Sequence, residues 1–324
     1  AVVGVIAATR LVVLFCYAWI ALRQLPDSTQ GKRIDVTLAP SLVRYGGWLS
    51  VSNFVTPIIV SLDRFLIGAF VSAGAVAYYA TPYEVITKLW IFSAGLLGVL
   101  LPVFSAMSAA GDPQLPQIMR RAVRLLLAVV ALPIGVVLSL GDELLQAWLG
   151  EAFRDHSTTV AHWIALGMLF NVVAQVPLTA LHGLGRTDVT AKILFFELAA
   201  YATSAYYMTL HFGIDGIAFA WAARAFVDAA LLFAAGARLV PGARSVRLWP
   251  DAATLAVLAL FLMTLYAAGS VLGGSLWIKL FVTTVILSAM GAWIWQCLIA
   301  DEDRIALKKF VARIHQAGSY RRTS

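Results

Sequence analysis

Residues 51–70 read VSNFVTPIIVSLDRFLIGAF, a stretch apolar enough to cross a bilayer that nevertheless carries Asp63 and Arg64 side by side. A helix of about 20 residues is roughly 30 Å long, which matches the hydrocarbon core of a membrane. A charge near the bilayer centre costs roughly 2.5–3.5 kcal/mol on insertion scales. We therefore expect this segment to be a membrane helix whose charged side chains face a polar interior of the protein.

Similar apolar stretches recur through the 324 residues, of which 61% are hydrophobic and 13% are charged. This composition excludes a soluble globular domain, because so much apolar surface could not be covered. The length of the stretches and the lack of strict alternation favour helical spans over strands. We predict an all-α integral membrane protein with nine spans, at about residues 1–22, 42–70, 75–108, 123–141, 159–183, 191–210, 215–237, 252–270 and 277–299.

The lysines and arginines of the loops and span ends are distributed very unevenly. If segment 23–41 is cytoplasmic, eighteen of them fall on the cytoplasmic side and two, Arg154 and Lys279, on the other. The positive-inside rule then predicts a multi-pass membrane protein with a cytoplasmic C-terminus. The net charge of +7 suits anionic lipid headgroups, so no nucleic acid is invoked. The tail, residues 300–324, is either a basic amphipathic helix on the inner leaflet or a frayed, solvated segment.

Eight charged residues lie well inside the predicted spans, away from the span ends, which is a large energetic cost for a protein that serves only as an anchor. They are Arg10, Asp63, Arg64, Glu84, Lys88, Glu197, Arg224 and Asp228. Glu84 and Lys88 are four residues apart, as are Arg224 and Asp228, so each pair is predicted to form an ion pair within its own helix. Such pairs are either structural or part of a transport site.

The second span carries a polar stripe along one side of the helix. At 100° per residue its members fall within about 80° of one another. They are Ser50, Asn53, Pro57, Ser61 and Arg64. Asp63 points roughly 100° away from Arg64 around the helix, so we expect its side chain to contact a neighbouring helix. Glu197 has no partner on its own helix and shares a face with Tyr201 and Ser204.

Several segments in order resemble the second half of bacterial polysaccharide and O-antigen flippases. These are LVRYGGWLSVSNFVTPIIVSLDRFLIG, AVAYYATPYEVITKLW, LLPVFSAM and LHGLGRTDVTAKILFFELAAY, followed by GIDGIAFAWAARAFVDAALL. The family is the oligosaccharide-lipid branch of the multidrug/oligosaccharidyl-lipid/polysaccharide exporter superfamily, and the resemblance covers about residues 40–240. The chain starts with Ala1 within an apolar run, so it is interpreted as a fragment that begins near helix six of such a transporter and lacks helices one to five.

The resemblance implies two pseudo-symmetric bundles of six helices in a protein of 12–14 helices, with a cationic central cavity. In that frame residues 1–22 are the last helix of the first bundle, 23–41 a cytoplasmic linker and 42–238 the second bundle. Residues 239–299 are two additional helices, and 300–324 are the basic tail. The implied function is transport of a polyprenyl-diphosphate-linked oligosaccharide from the inner to the outer leaflet of the bacterial inner membrane by alternating access, for synthesis of cell-surface polysaccharide.

A diphosphate cannot cross hydrocarbon alone, and arginine offers a forked donor to its oxygens. We therefore expect Arg64, Lys88, Arg224, Arg10 and Asn53 to contact the substrate head group. Glu84, Glu197, Asp228 and Asp63 are candidates for coupling to protons or sodium, or for structural pairing. No cofactor is expected, because the sequence has no ATP-binding loop. No metal site is expected either, since Cys16 and Cys297 both lie within spans and lack a metal-ligand spacing.

Three other functions remain open at the level of sequence. A multidrug exporter would favour acidic and aromatic pockets for cationic drugs, and a peptidoglycan-precursor flippase would differ only in the sugar. A membrane-embedded sugar-chain polymerase or ligase would need a sizeable outside loop that carries its chemistry. The loop at 142–158 is small, so an enzyme is the remotest of the three.

Overall fold

The computed structural model describes residues 2–24, 39–244, 246, 248–271, 276–299 and 304. Its helices are α1 (Val2–Gln24), α2 (Ala39–Phe70), α3 (Ala73–Thr87), α4 (Trp90–Ala110), α5 (Leu115–Leu149), α6 (Glu151–Gly183), α7 (Thr187–Leu239), α8 (Ala252–Val271) and α9 (Leu276–Trp293), followed by a π-helical turn at Ile294–Leu298. The expected all-α class is thereby confirmed. The tail, for which a basic amphipathic helix and a frayed segment are both expected, lies outside the described residues except for residue 304.

The chain divides into two compact units, Ala1–Arg44 and Tyr45–Ser324. The first contains α1, whose described side chains from Ala8 to Ile20 are exposed. The second contains most of α2 and the remaining helices. In this second unit α6 is the central helix, since it packs against α3, α4, α5 and α7. Helices α8 and α9 pack against α5 and against each other.

Among the described residues, seven helices are long and apolar enough to cross a membrane. They are Leu42–Phe70, Trp90–Ala110, Leu115–Leu149, Glu151–Gly183, Thr187–Leu239, Ala252–Val271 and Leu276–Leu298. Helix α7 contains two predicted spans, 191–210 and 215–237, on either side of a kink at Gly213. This glycine has φ 60° and ψ −135°, which are not helical and which a residue with a side chain rarely adopts. The first predicted span is represented by a shorter apolar segment, Ala8–Ile20.

The prediction of one continuous helix over residues 75–108 is wrong. The chain changes helix at Lys88 and Leu89, where both residues have dihedral angles typical of a 3₁₀ turn. The amide of Lys88 donates to the carbonyl of Val85, three residues earlier, and Leu89 repeats this pattern with Ile86. Thr87 also donates its hydroxyl to the carbonyl of Tyr83 at 2.8 Å. These shorter-range bonds tighten the turn and end α3 before α4 begins.

Close packing of α6 against α7 depends on Gly167. A Cβ atom at this position would lie 2.8 Å from the Cα of Ala222 and 2.6 Å from the ring of Trp221. Small residues at helix interfaces let two membrane helices approach closely. This contact brings the second half of α7 against α6 and thereby positions the charged residues of α7 described below.

Candidate functional site

A cavity of about 470 Å³ lies between α2, α4, α6 and α7. Its wall is partly apolar but includes side chains that can form hydrogen bonds or carry charge. The polar lining residues are Ser52, Asn53, Thr56, Tyr83, Trp90, Ser93, Asn171, Gln175, His182, Thr190, Glu197, Arg224 and Asp228. Four of the residues singled out from the sequence, namely Asn53, Glu197, Arg224 and Asp228, therefore meet in one cavity.

The charged centre of this cavity is an ion pair between Arg224 and Glu197, both on α7 but on opposite sides of the Gly213 kink. The guanidinium Nη1 lies 3.5 Å from Glu197 Oε2. The two side chains are only 13% and 2% exposed. One further atom of each, Arg224 Nε and Glu197 Oε1, is buried without a hydrogen-bond partner among the described residues. The arginine of this pair therefore holds an unused hydrogen-bond donor.

Arg224 is also framed by aromatic rings. Its guanidinium carbon lies 5.3 Å from the ring centroid of Tyr201 and 5.8 Å from that of Trp221. Rings at these distances attract a cation electrostatically. The predicted pairing of Arg224 with Asp228 is corrected: the ion-pair partner is Glu197, and Asp228 lines the same cavity. Folding α7 at Gly213 brings the distant acid closer than the one four residues away.

Asp63 occupies a separate polar position next to the cavity. Its carboxylate is 1% exposed and accepts a hydrogen bond of 2.5 Å from the hydroxyl of Tyr79 on α3. It accepts a second one from the hydroxyl of Tyr201 on α7. These hydrogen bonds to α3 and α7 confirm the expectation that Asp63 contacts a neighbouring helix. Since Tyr201 also contacts Arg224, this tyrosine connects the buried aspartate to the charged centre.

Arg64 pairs with Glu84 on α3 at 2.7 Å, and the two side chains are 38% and 57% exposed. The predicted pairing of Glu84 with Lys88 is thus corrected, because the carboxylate is directed to α2 instead. Lys88 lies exposed at the break between α3 and α4. Arg64, Glu84 and Lys88 are not among the residues that line the cavity. Arg10 belongs to the first unit of the chain, in α1, and is exposed there.

The polar stripe on the second span matches the cavity at one position only. Asn53 lines it, whereas Ser50 and Pro57 are exposed and lie on a different side of α2. The side of α2 that lines the cavity carries Leu49, Ser52, Asn53, Thr56, Ile59 and Val60. Its centre lies about 100° around the helix from that of the predicted stripe. Counting polar residues therefore located the edge of the cavity-facing side but not its centre.

Sequence reasoning missed the contribution of α6. Asn171, Gln175 and His182 line the cavity, and Asn171 accepts a hydrogen bond of 2.7 Å from the indole of Trp90. His182 lies 3.2 Å from the hydroxyl of Thr190. At 100° per residue the three α6 side chains fall within about 40° of one another. This polar stripe inside an apolar span was a signal that could have been found.

Comparison with known proteins agrees with the resemblance seen in the sequence. The profile of a family described as "Polysaccharide biosynthesis protein" matches residues 2–158. The chain is 32% identical over 192 residues to a Shigella flexneri protein named "Putative O-antigen transporter", an alignment that covers 58% of the chain and 44% of that protein. The chain thus spans less than half of this relative's length. No solved structure shows a significant match.

The matched region contains α2, α3 and Asp63, and the aligned relative extends the similarity over more than half of the chain. The helical architecture and the apolar spans fit a membrane protein of this kind. The chain is therefore a multi-pass membrane protein, and its residues 2–158 match the model of the polysaccharide biosynthesis protein family.

Proposed function

We propose that the protein transports a polyprenyl-diphosphate-linked oligosaccharide across the bacterial inner membrane, from the inner to the outer leaflet, by alternating access. The observation that carries this proposal is the enclosed Arg224, which lines a polar cavity in a protein of apolar helices. A buried charge is costly in such surroundings and is retained mainly where a substrate or ion passes. Similarity to a protein named as an O-antigen transporter supports the same substrate class.

The chemistry of the cavity suits a head group that carries phosphate and sugar. Arg224 provides a forked donor for phosphate oxygens. Asn53, Asn171 and Gln175 provide amides that can donate to and accept from sugar hydroxyls. The polyprenyl tail remains in the surrounding lipid, so the protein needs to replace water only around the head group.

The two carboxylates in the cavity give the proposal an ion-coupled step. Glu197 holds Arg224 in an ion pair, and Asp228 lies in the same cavity, so the charged lining is formally one arginine against two acids. A diphosphate approaching Arg224 is repelled by both carboxylates. Uptake of a proton or a sodium ion by these acids removes that repulsion and frees Arg224 for the substrate. Coupling in this form requires Glu197 to change partners during each transport cycle.

The test is complementation of a bacterial strain that lacks its own polysaccharide flippase. The full natural protein should restore surface polysaccharide, whereas Arg224→Ala should not, even when its expression is raised until the membrane holds the same amount of folded protein. Arg154→Ala is the matched control, because Arg154 is an exposed arginine at the start of α6, remote from the cavity lining. Restoration by the Arg224→Ala variant would contradict the proposal. Export of cationic drugs without export of lipid-linked sugar would support the multidrug alternative instead.

A further inference from the structure

A second cavity, of about 710 Å³, lies between α5, α6 and α8. It differs from the polar cavity because its lining is almost wholly apolar. From α5 it is lined by Val123, Leu127 and Leu138, and from α8 by residues between Leu255 and Tyr266. Leu138 follows Val123 by fifteen positions, which corresponds to about 22 Å along the helix axis. The cavity is therefore long as well as apolar, and it extends over most of a hydrocarbon core of about 30 Å.

The cavity opens sideways, towards the surroundings of the protein. Phe226 of α7 and Met263 of α8 line it and are 52% and 70% exposed. In a membrane protein this opening faces lipid rather than water. Hydrocarbon chains of the bilayer therefore have direct access to the cavity, and water gains nothing by filling it because the lining offers few hydrogen-bond partners.

One end of the cavity carries positive charge. Val123 and Leu127 lie on the same side of α5 as Arg120 and Arg124, and Trp249 and Pro250 line the same end just before Asp251. Nη2 of Arg124 is 4.0 Å from Asp251. The Nε atoms of Arg120 and Arg124 are buried and have no hydrogen-bond partner among the described residues. Two guanidinium groups with unused donors thus lie within one turn of α5 from residues that line one end of this cavity, and one carboxylate opposes them.

We propose that this cavity binds one anionic phospholipid of the bilayer, with an acyl chain between α5, α6 and α8 and the phosphate at Arg120 and Arg124. Basic pockets between membrane helices on the cytoplasmic side are typical sites for anionic lipid headgroups. This end of α5 is the one that the distribution of lysines and arginines predicts to face the cytoplasm. The site is distinct from the polar cavity, and it does not rest on the transport function proposed above.

Native mass spectrometry of the purified protein, reconstituted with equal amounts of phosphatidylglycerol and phosphatidylcholine and then stripped by detergent, tests the site. Wild-type protein should retain one phosphatidylglycerol. The double variant Arg120→Gln/Arg124→Gln should retain it at least about fivefold less, because both guanidinium groups are lost. Arg121→Gln is the matched control, since Arg121 is exposed on another side of the same helix, and it should behave as wild type.

A second pair of variants tests the cavity without changing charge. Leu262 lines the cavity and is 5% exposed. Leu260 lies on the same helix but is 65% exposed and does not line the cavity. Leu262→Trp should fill the space and lower lipid retention, and Leu260→Trp should leave retention unchanged. Equal retention of both phospholipids by the wild type would overturn the proposal. So would preferential retention of a polyprenyl phosphate, or unchanged retention in the double arginine variant.

Discussion

Replacing Arg224 with alanine should destabilise the protein far more than replacing Arg64, although Arg64 lies closer to its acidic partner. The Arg224–Glu197 pair spans 3.5 Å and its side chains are 13% and 2% exposed. At an effective dielectric constant near 20, two unit charges at this distance attract by about 5 kcal/mol. Removing one member of a buried pair typically costs about 3–5 kcal/mol, because the other charge is left buried and unpaired.

The Arg64–Glu84 pair gives the opposite expectation. It is shorter, at 2.7 Å, but its side chains are 38% and 57% exposed. We expect this pair to face water, where an exposed ion pair contributes about 0–1 kcal/mol to the free energy of unfolding. Burial rather than distance therefore decides which pair matters for stability.

Two double-mutant cycles measure the difference. The first combines Arg224→Ala with Glu197→Gln, the second Arg64→Ala with Glu84→Gln, and each compares reversible unfolding in mixed micelles by tryptophan fluorescence. We expect a coupling energy of about 1–3 kcal/mol for the first pair and less than about 1 kcal/mol for the second. A larger coupling for Arg64 and Glu84 would refute the reasoning, because it would mean that this exposed pair lies in hydrocarbon rather than in water.

Four further outcomes are expected. Arg64→Lys should retain part of the polysaccharide export, because the charge remains while the forked geometry of the guanidinium is lost. Arg64→Ala should lose most of the export at normal levels of protein in the membrane, and full complementation by this variant would contradict a head-group role. Glu197→Gln should weaken the pH or sodium dependence of export more than it lowers protein yield, and an unchanged gradient dependence at normal yield argues against ion coupling. Gly167→Ala should destabilise the protein by about 1–3 kcal/mol, because the new Cβ meets the backbone of α7. Gly95→Ala should be neutral or stabilising in the same unfolding assay, because the space around Gly95 is open. A cysteine at Ser108 in a cysteine-free background should react with an impermeant thiol reagent only after the membrane is opened, and labelling of intact cells contradicts the predicted topology.

The membrane character of the chain could be predicted from sequence, because apolar length is a local property. The bounds of Leu42–Phe70, Ala252–Val271 and Leu276–Leu298 agree with the predicted spans to within a residue or two. The break between α3 and α4 could not be predicted in the same way. It depends on hydrogen bonds between residues three apart at Lys88 and Leu89, which the mean hydropathy of a span does not record.

The candidate site was only partly predictable. Helical periodicity correctly predicted that Asp63 and Arg64 point in different directions, because the direction of a side chain around its own helix follows from its position in the sequence. The same periodicity paired Arg224 with Asp228, since it compares residues within one straight helix. Gly213 interrupts that helix and lets Glu197 reach Arg224 instead. The polar side chains of α6 were a local signal that was overlooked rather than absent.

By itself the sequence determined that this chain spans a membrane, which residues are too costly to place in lipid, and which family it resembles. Only the tertiary structure decided the partners of those residues. Arg64 pairs with an acid 20 residues away, and Arg224 pairs with Glu197, 27 residues away. Asp63 accepts a hydrogen bond from the hydroxyl of Tyr201, which is 138 residues away. The physical reason is that hydropathy and helical phase are properties of one segment, whereas an ion pair needs two groups within a few ångströms. That proximity is set by how α2, α3, α6 and α7 pack together.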